Sequence, residues 1–273
     1  MDMTQDERRL WLIQALLRER PDLTGVQVPC GQDGQRDLLR ALMNVRPAEP
    51  VSEEFCEVQD AYLTDRLAER GLVRMKDLTP VGVGAYGDQL FLWQGDITTL
   101  AVDAIVNAAN SQMLGCFVPG HHCIDNAIHT FAGVQLRLAC AELMRAQGHE
   151  EPTGSAKITP GFNLPAAHVI HTVGPIVYGP VPTARDELAL RSSYRSCLET
   201  ADAAGCASIA FCCISTGVFH YPNESAARVA IDEVRMYLSR TGSPMRVVFN
   251  VFLDKDHDIY IQTFVRGCDV VNS

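Results

Sequence analysis

The stretch GCFVPGHHCIDNAIH, residues 115–129, sets Cys116, Cys123, His121, His122, His129 and Asp125 beside Gly115, Gly120 and Pro119. Thiolates and imidazoles in a bendable loop can hold a metal ion, pair as a Cys–His nucleophile, or close a disulfide. They can also be an ordinary loop entering a helix. Two other segments offer chemistry of their own. The run Ser215-Thr216-Gly217-Val218-Phe219 is built from small residues ahead of a helix, so its backbone N–H groups can approach an anion such as a diphosphate without lysine or arginine. Phe219 could close over a sugar. The dipeptide Gly95–Asp96 follows an apolar run, and its carboxylate can accept from an exocyclic amine or cap a turn.

These residues need elements to hold them. Leu10, Ile13, Leu16 and Leu17 recur at helical spacing, as do Leu38, Leu39 and Leu42 in a helix over 35–44. A third helix is expected over 53–70, stopped by Gly71. Between the second and third lies RPAEPVS, a connection. Beyond Lys76, strands expected over 90–94, 103–109, 168–173, 208–214 and 246–252 alternate with helices over 124–147, 185–204, 223–239 and 256–266. Gly133 is placed to break the first of these. That alternation predicts an α/β layer around a largely parallel sheet. The candidate residues then fall at the carboxyl ends of strands, where such sheets bind ligands. Gly82, Gly84 and Gly87 match G-x-G-x-x-G, but the motif precedes a strand instead of following one, so it reads as a flexible linker.

A chain of 273 residues with net charge −10 lacks the clustered cations that nucleic-acid binding needs. No apolar run reaches the roughly 20 residues of a membrane helix, and the charged start is unlike a signal peptide. A cytoplasmic location follows as the expectation. There, Cys140, Cys197, Cys206, Cys212, Cys213 and Cys268 would be small apolar residues, and a Cys116–Cys123 disulfide is disfavoured.

The succession GDIT, VDAIVNAAN, TPGFNLPAAHVIHTVGP and ISTGVFHYP resembles the macrodomain family over roughly residues 90–267. The resemblance implies a three-layer α/β/α sandwich with a mixed, largely parallel sheet over residues 86–273, after a helical N-terminal extension and linker over 1–85. It implies binding of ADP-ribose. Asp96 would hold the adenine amine with Ile97 beside it, and Asn110 would contact the distal ribose. Ser215, Thr216, Gly217, Val218 and Phe219 would wrap the diphosphate and that ribose.

The loop after NAAN departs from the family's usual glycine-rich form and resembles the zinc-dependent macrodomains, which also carry a helical extension. Their Cys, His, Cys signature falls on Cys116, His121 and Cys123 as C-x4-H-x-C, with Zn2+ as the implied cofactor. Three protein ligands with an open position is the pattern of a catalytic zinc, whereas structural sites are usually closed by four. His122 rivals His121, and His129 lies more than a turn beyond Cys123 but four residues from Asp125, close enough to face it. The expected activity is hydrolysis of mono-ADP-ribose from modified proteins at aspartate or glutamate esters, releasing ADP-ribose. Asn110 would fix ribose hydroxyls, Asp125 would serve as base or water-orienting group, and Cys123, Ile124 and Asn126 would line the pocket. A non-catalytic ADP-ribose reader with a structural zinc, or an O-acyl-ADP-ribose deacylase, are the other readings.

Overall fold

The computed structural model describes residues 3–23 and 25–269, with side chains through 266; the side chain of Cys268 lies outside the described residues. Helix α1 (Gln5–Arg18) starts at a capping box: the Thr4 side chain accepts from the Glu7 N–H, and the Glu7 carboxylate accepts from the Thr4 N–H. Helix α2 (Gln32–Val45) follows, then α3 (Glu53–Arg70), capped by Ser52 at the Phe55 N–H and stopped by Gly71 at φ 86°. Leu12, Ile13, Leu39, Leu42, Phe55 and Tyr62 belong to a core distinct from that of the sheet. The extension is therefore a packed unit in its own right, and Val134 from the following layer joins it.

Strand β1 (Val73–Arg74) pairs in parallel with the short β3 (Leu100–Ala101). The main sheet takes β2 (Leu90–Gln94), β4 (Ala104–Ala108), β5 (Ala156–Pro160), β6 (His168–Thr172), β7 (Ser208–Phe211) and β8 (Arg246–Val251) in the order β2-β8-β7-β4-β6-β5. All neighbouring pairs are parallel except β5, which runs antiparallel to β6 at the edge. Near-continuous burial along β4, β7 and β8 shows that both faces are covered, as parallel strands require. The covering helices are α4 (Ile124–Ala132), α5 (Val134–Gln147), α6 (Ala184–Ala203), α7 (Asn223–Thr241) and α8 (Asp254–Asp269). Gly133, at φ 92°, does separate α4 from α5.

Two expectations are corrected. Strand β5 was not among the expected strands: Lys157, Thr159 and Pro160 dilute its apolar signal, and only Thr159 of its five residues is fully buried. The glycine motif is not a flexible linker. Val81 N–H donates to Leu90 O, Gly82 N–H to Gly87 O and Gly87 N–H to Gly84 O, a closed turn leading into β2. Among the described residues no helix is long and apolar enough to cross a membrane.

Candidate active site

The five parallel strands deliver their carboxyl ends to one edge of the sheet. There lie Gly95–Asp96 after β2, the loop 212–219 after β7, the loop 109–123 after β4 and Gly174–Tyr178 after β6. Asp96 caps a single turn, Ile97–Thr99. Its Oδ1 accepts from the Thr98 N–H at 3.0 Å and the Thr98 hydroxyl at 2.6 Å. Ile97 is buried beside it.

In the loop after β7, Ser215 adopts φ 66° and is 5% exposed. A Cβ on Gly174 would stand 2.0 Å from the Ser215 Oγ, so glycine there is what lets the two loops meet. Tyr221 N–H donates to Ser215 O, Thr216 Oγ1 to Cys213 O, and Val177 N–H to Phe219 O. The N–H groups of Gly217, Val218 and Phe219 donate to no acceptor among the described residues. Gly217 and Val218 are exposed and Phe219 half-buried. Three free amides ahead of α7 form a donor set for an anion.

The loop after β4 starts at Asn110, whose Oδ1 accepts from the N–H groups of Gln112 and Met113 and whose Nδ2 donates to Gly115 O. It delivers Cys116, His121 and Cys123 as one group: their sulfur and ring-nitrogen atoms all lie within 4.8 Å of one another. Cys116 Sγ is 3.5 Å from His121 Nδ1, and His122 is exposed and outside the group. Tetrahedral Zn–S and Zn–N bonds of about 2.3 and 2.0 Å set donors roughly 3.5–4 Å apart, so two thiols and an imidazole at this spacing fit zinc. Burial pushes the Cys123 thiol up to about 12 against the stabilising Asn126 N–H, and a bound cation reverses that preference. Cys123 also caps α4, its Sγ accepting from the Asn126 N–H at 3.4 Å.

The extension braces this loop. Arg40 of α2 donates to His121 O at 3.1 Å and, through Nε and Nη2, to Asn126 Oδ1. Asn126 in turn donates to Val118 O. Asn44 accepts from the Gly120 N–H and donates to the Thr130 hydroxyl, both at 3.0 Å. Buried Arg137 of α5 reaches Leu114 O at 2.7 Å and the carbonyls of Met43 and Arg46. Asn126, expected at the pocket, is fully buried with its side chain engaged by Arg40; Ile124 is half-buried at the start of α4.

Asp125 faces inward. Its Oδ1 accepts from Asn107 Nδ2 at 2.8 Å and lies 3.5 Å from His129 Nε2. Desolvation raises its pKa to about 6, partly offset by the Asn107 hydrogen bond. Asp125, Ile128, His129 and Ala132 follow i, i+3, i+4, i+7 spacing, so the apolar members mark the face as the buried one. Reading that phase would have placed the carboxylate in the core. His129, Cys140 and His171 form a second cluster with donor atoms within 4.8 Å, enclosed by the core. His171 is held by Asn107 at Nδ1 and by Thr159 at Nε2.

Burial lowers His171 to about 3. The unfolded chain takes up a proton below about 6.5 that the folded chain refuses, so this part of the stability is complete above 6.5 and falls away toward pH 3. At pH 5 the loss is about 2 kcal/mol. His129, lowered by the same burial, adds to this loss and Asp125, raised to about 6, opposes it, so the share of His171 is read by difference: between pH 7.5 and pH 5, urea melts of His171→Gln will lose about 2 kcal/mol less than wild type. An identical slope in the variant would refute the assignment.

Residues 106–230 match the family described as Macro domain. Over 258 residues the chain is 56% identical to a protein of Treponema medium named protein-ADP-ribose hydrolase, covering 94% of this chain and 98% of that one. A Staphylococcus aureus (strain MRSA252) protein of the same name is 51% identical over 260 residues, covering 95% and 96%. Among solved structures, the Trypanosoma brucei macrodomain in complex with ADP-ribose matches with TM-score 0.64 and 31% identity, covering 82% of this chain and 94% of that one. The Oceanobacillus iheyensis macrodomain with ADP matches with TM-score 0.59 and 37% identity, covering 65% and 90%.

Proposed function

The chain belongs to the macrodomain family, and on that footing we propose that it is a zinc-dependent protein-ADP-ribose hydrolase that frees ADP-ribose from aspartate or glutamate side chains. The observation that carries the zinc reading is the group Cys116, His121 and Cys123, gathered in the loop that follows Asn110 at the edge where the strands end.

In this reading Asp96 accepts from the adenine amine with Ile97 packed beside it. The N–H groups of Gly217, Val218 and Phe219 hold the diphosphate, with Ser215 and Thr216 shaping their loop. Phe219 covers the distal ribose, and Asn110 meets its hydroxyls while holding the turn that presents Cys116. Cys123 and Ile124 line the same end. Asn126 acts from behind, keeping Val118 and Arg40 in register. Asp125, engaged with Asn107, orients the groups at the start of α4. Zinc held by Cys116, His121 and Cys123 would supply a Lewis acid beside the distal ribose. Hydrolysis adds water across the bond from the ribose C1 to the carboxylate, which leaves with the bonding electron pair.

The dense bracing of the loop by Arg40, Asn44 and Asn126 favours one other reading, a non-catalytic ADP-ribose module with zinc as a brace. A time course with O-acetyl-ADP-ribose and with proteins mono-ADP-ribosylated through glutamate, serine or arginine decides. Release of ADP-ribose from the glutamate-linked protein is expected. Tight ADP-ribose binding with no release from any linkage would establish the reader instead, and release from O-acetyl-ADP-ribose alone would make it a deacylase.

A further inference from the structure

The proposed reading gives the extension no part in recognising the nucleotide, yet one of its side chains touches the residue assigned to the base. Arg70, the last residue of α3, donates through Nη1 to Asp96 Oδ2 at 2.9 Å and to the Thr98 hydroxyl oxygen at 2.7 Å. Its guanidinium carbon lies 3.5 Å from the centroid of the Phe131 ring, so an aromatic face on α4 fixes the plane of the fork. Gly71 sets the backbone direction immediately after it, and β1 then pairs with β3, which directly follows the Ile97–Thr99 turn. The donor is thus held on both sides, while the acceptor sits on a turn of three residues.

A carboxylate offers about four acceptor positions. At Asp96, the Thr98 N–H and the Thr98 hydroxyl occupy Oδ1, and Arg70 occupies one position on Oδ2. The Asp96 side chain remains 37% exposed, against 17% for Arg70, so the remaining position on Oδ2 is open to a ligand. We propose that Arg70 is a positioning residue for base specificity: by fixing Asp96 with a single open acceptor, it selects a base carrying an exocyclic N–H donor over one carrying a carbonyl there. The helical extension is then part of the nucleotide site. This inference rests on the ADP-ribose reading above.

The test is calorimetric binding of ADP-ribose and of inosine diphosphate ribose, whose hypoxanthine replaces the amine by a carbonyl, to wild type, Arg70→Ala and Arg70→Lys. Wild type will prefer ADP-ribose by about 10-fold or more, as the loss of a hydrogen bond to a charged group implies. Arg70→Ala will weaken ADP-ribose by roughly 10-fold but the inosine analogue by less than about 3-fold, so the preference shrinks. Arg70→Lys, which keeps the charge but not the fork, will lie between. In turnover, Arg70→Ala will raise KM and leave kcat nearly unchanged. Equal weakening of both ligands, or of neither, in both variants overturns the proposal while the ADP-ribose reading stands. Binding of neither ligand by wild type overturns that reading and the proposal with it.

Discussion

Cys123→Ala will lower turnover of glutamate-linked substrate by at least about 100-fold while ADP-ribose binding changes by less than about 3-fold. The expectation follows from where the side chain sits. With Cys116 and His121 it completes the only group of zinc-type donors that the described residues place in the loop after Asn110. Two remaining ligands hold zinc far more weakly than three. The hydrogen bond of its Sγ is to the Asn126 N–H, and it shares none with Asp96 or the amides of Gly217, Val218 and Phe219, so the contacts assigned to adenine and diphosphate survive. Cys123 also caps α4, and losing a cap costs about 1 kcal/mol. Cys123→Ser separates the two roles, since serine is a good cap and a poor zinc ligand. Both variants should lose turnover, and the serine variant should keep the stability. Recovery of turnover in Cys123→Ser would show that the thiol is only a cap.

Arg137→Met will destabilise the protein by about 2–4 kcal/mol, because buried carbonyls lose a charged donor and are left unsatisfied. Arg137 is 4% exposed and donates to Leu114 O, Met43 O and Arg46 O. The substitution leaves those carbonyls to find other donors within the packed join between α2 and the loop after β4. Desolvation lowers the Arg137 pKa to about 10, opposed first by Asp125, so it stays charged at neutral pH. Asp125, raised to about 6 by burial, loses the opposing charge of Arg137 where it is ionised, so the loss should be larger at pH 8 than at pH 6. Zinc affinity should fall as well, because Leu114 leads directly into Gly115 and Cys116. A Cβ on Gly115 would lie 2.9 Å from His129 Cγ, which leaves this part of the loop little freedom to shift. A urea midpoint equivalent to a loss below about 1 kcal/mol would refute the expectation.

What the sequence made legible was local. C-x4-H-x-C spans eight residues, and the structure gathers those three donors together. Gly133 and Gly71 end helices where a positive φ is needed. The alternation past Lys76 produced the parallel sheet, because a buried strand is an uninterrupted apolar run. The edge strand β5, polar on one side and ending in proline, carries no such run. The braces were hidden for a different reason. Arg40 and Asn126 are 86 positions apart, Arg137 and Met43 are 94, and Arg70 and Asp96 are 26. No periodicity or spacing rule joins residues across such separations; only the packing of α2 and α3 against α4 and α5 does. Asp125 illustrates the remaining gap. Its distance to His129 followed from helix spacing, but the side on which the pair lies followed from Ile128 and Ala132.

Zinc removal followed by restoration decides whether the metal at Cys116, His121 and Cys123 takes part in turnover. Glutamate-linked mono-ADP-ribosylated protein is incubated with enzyme verified by elemental analysis to be metal-free, and again after adding about one equivalent of zinc. Release of ADP-ribose will fall to background without the metal and return with it. Undiminished release by the metal-free protein would rule out a catalytic zinc.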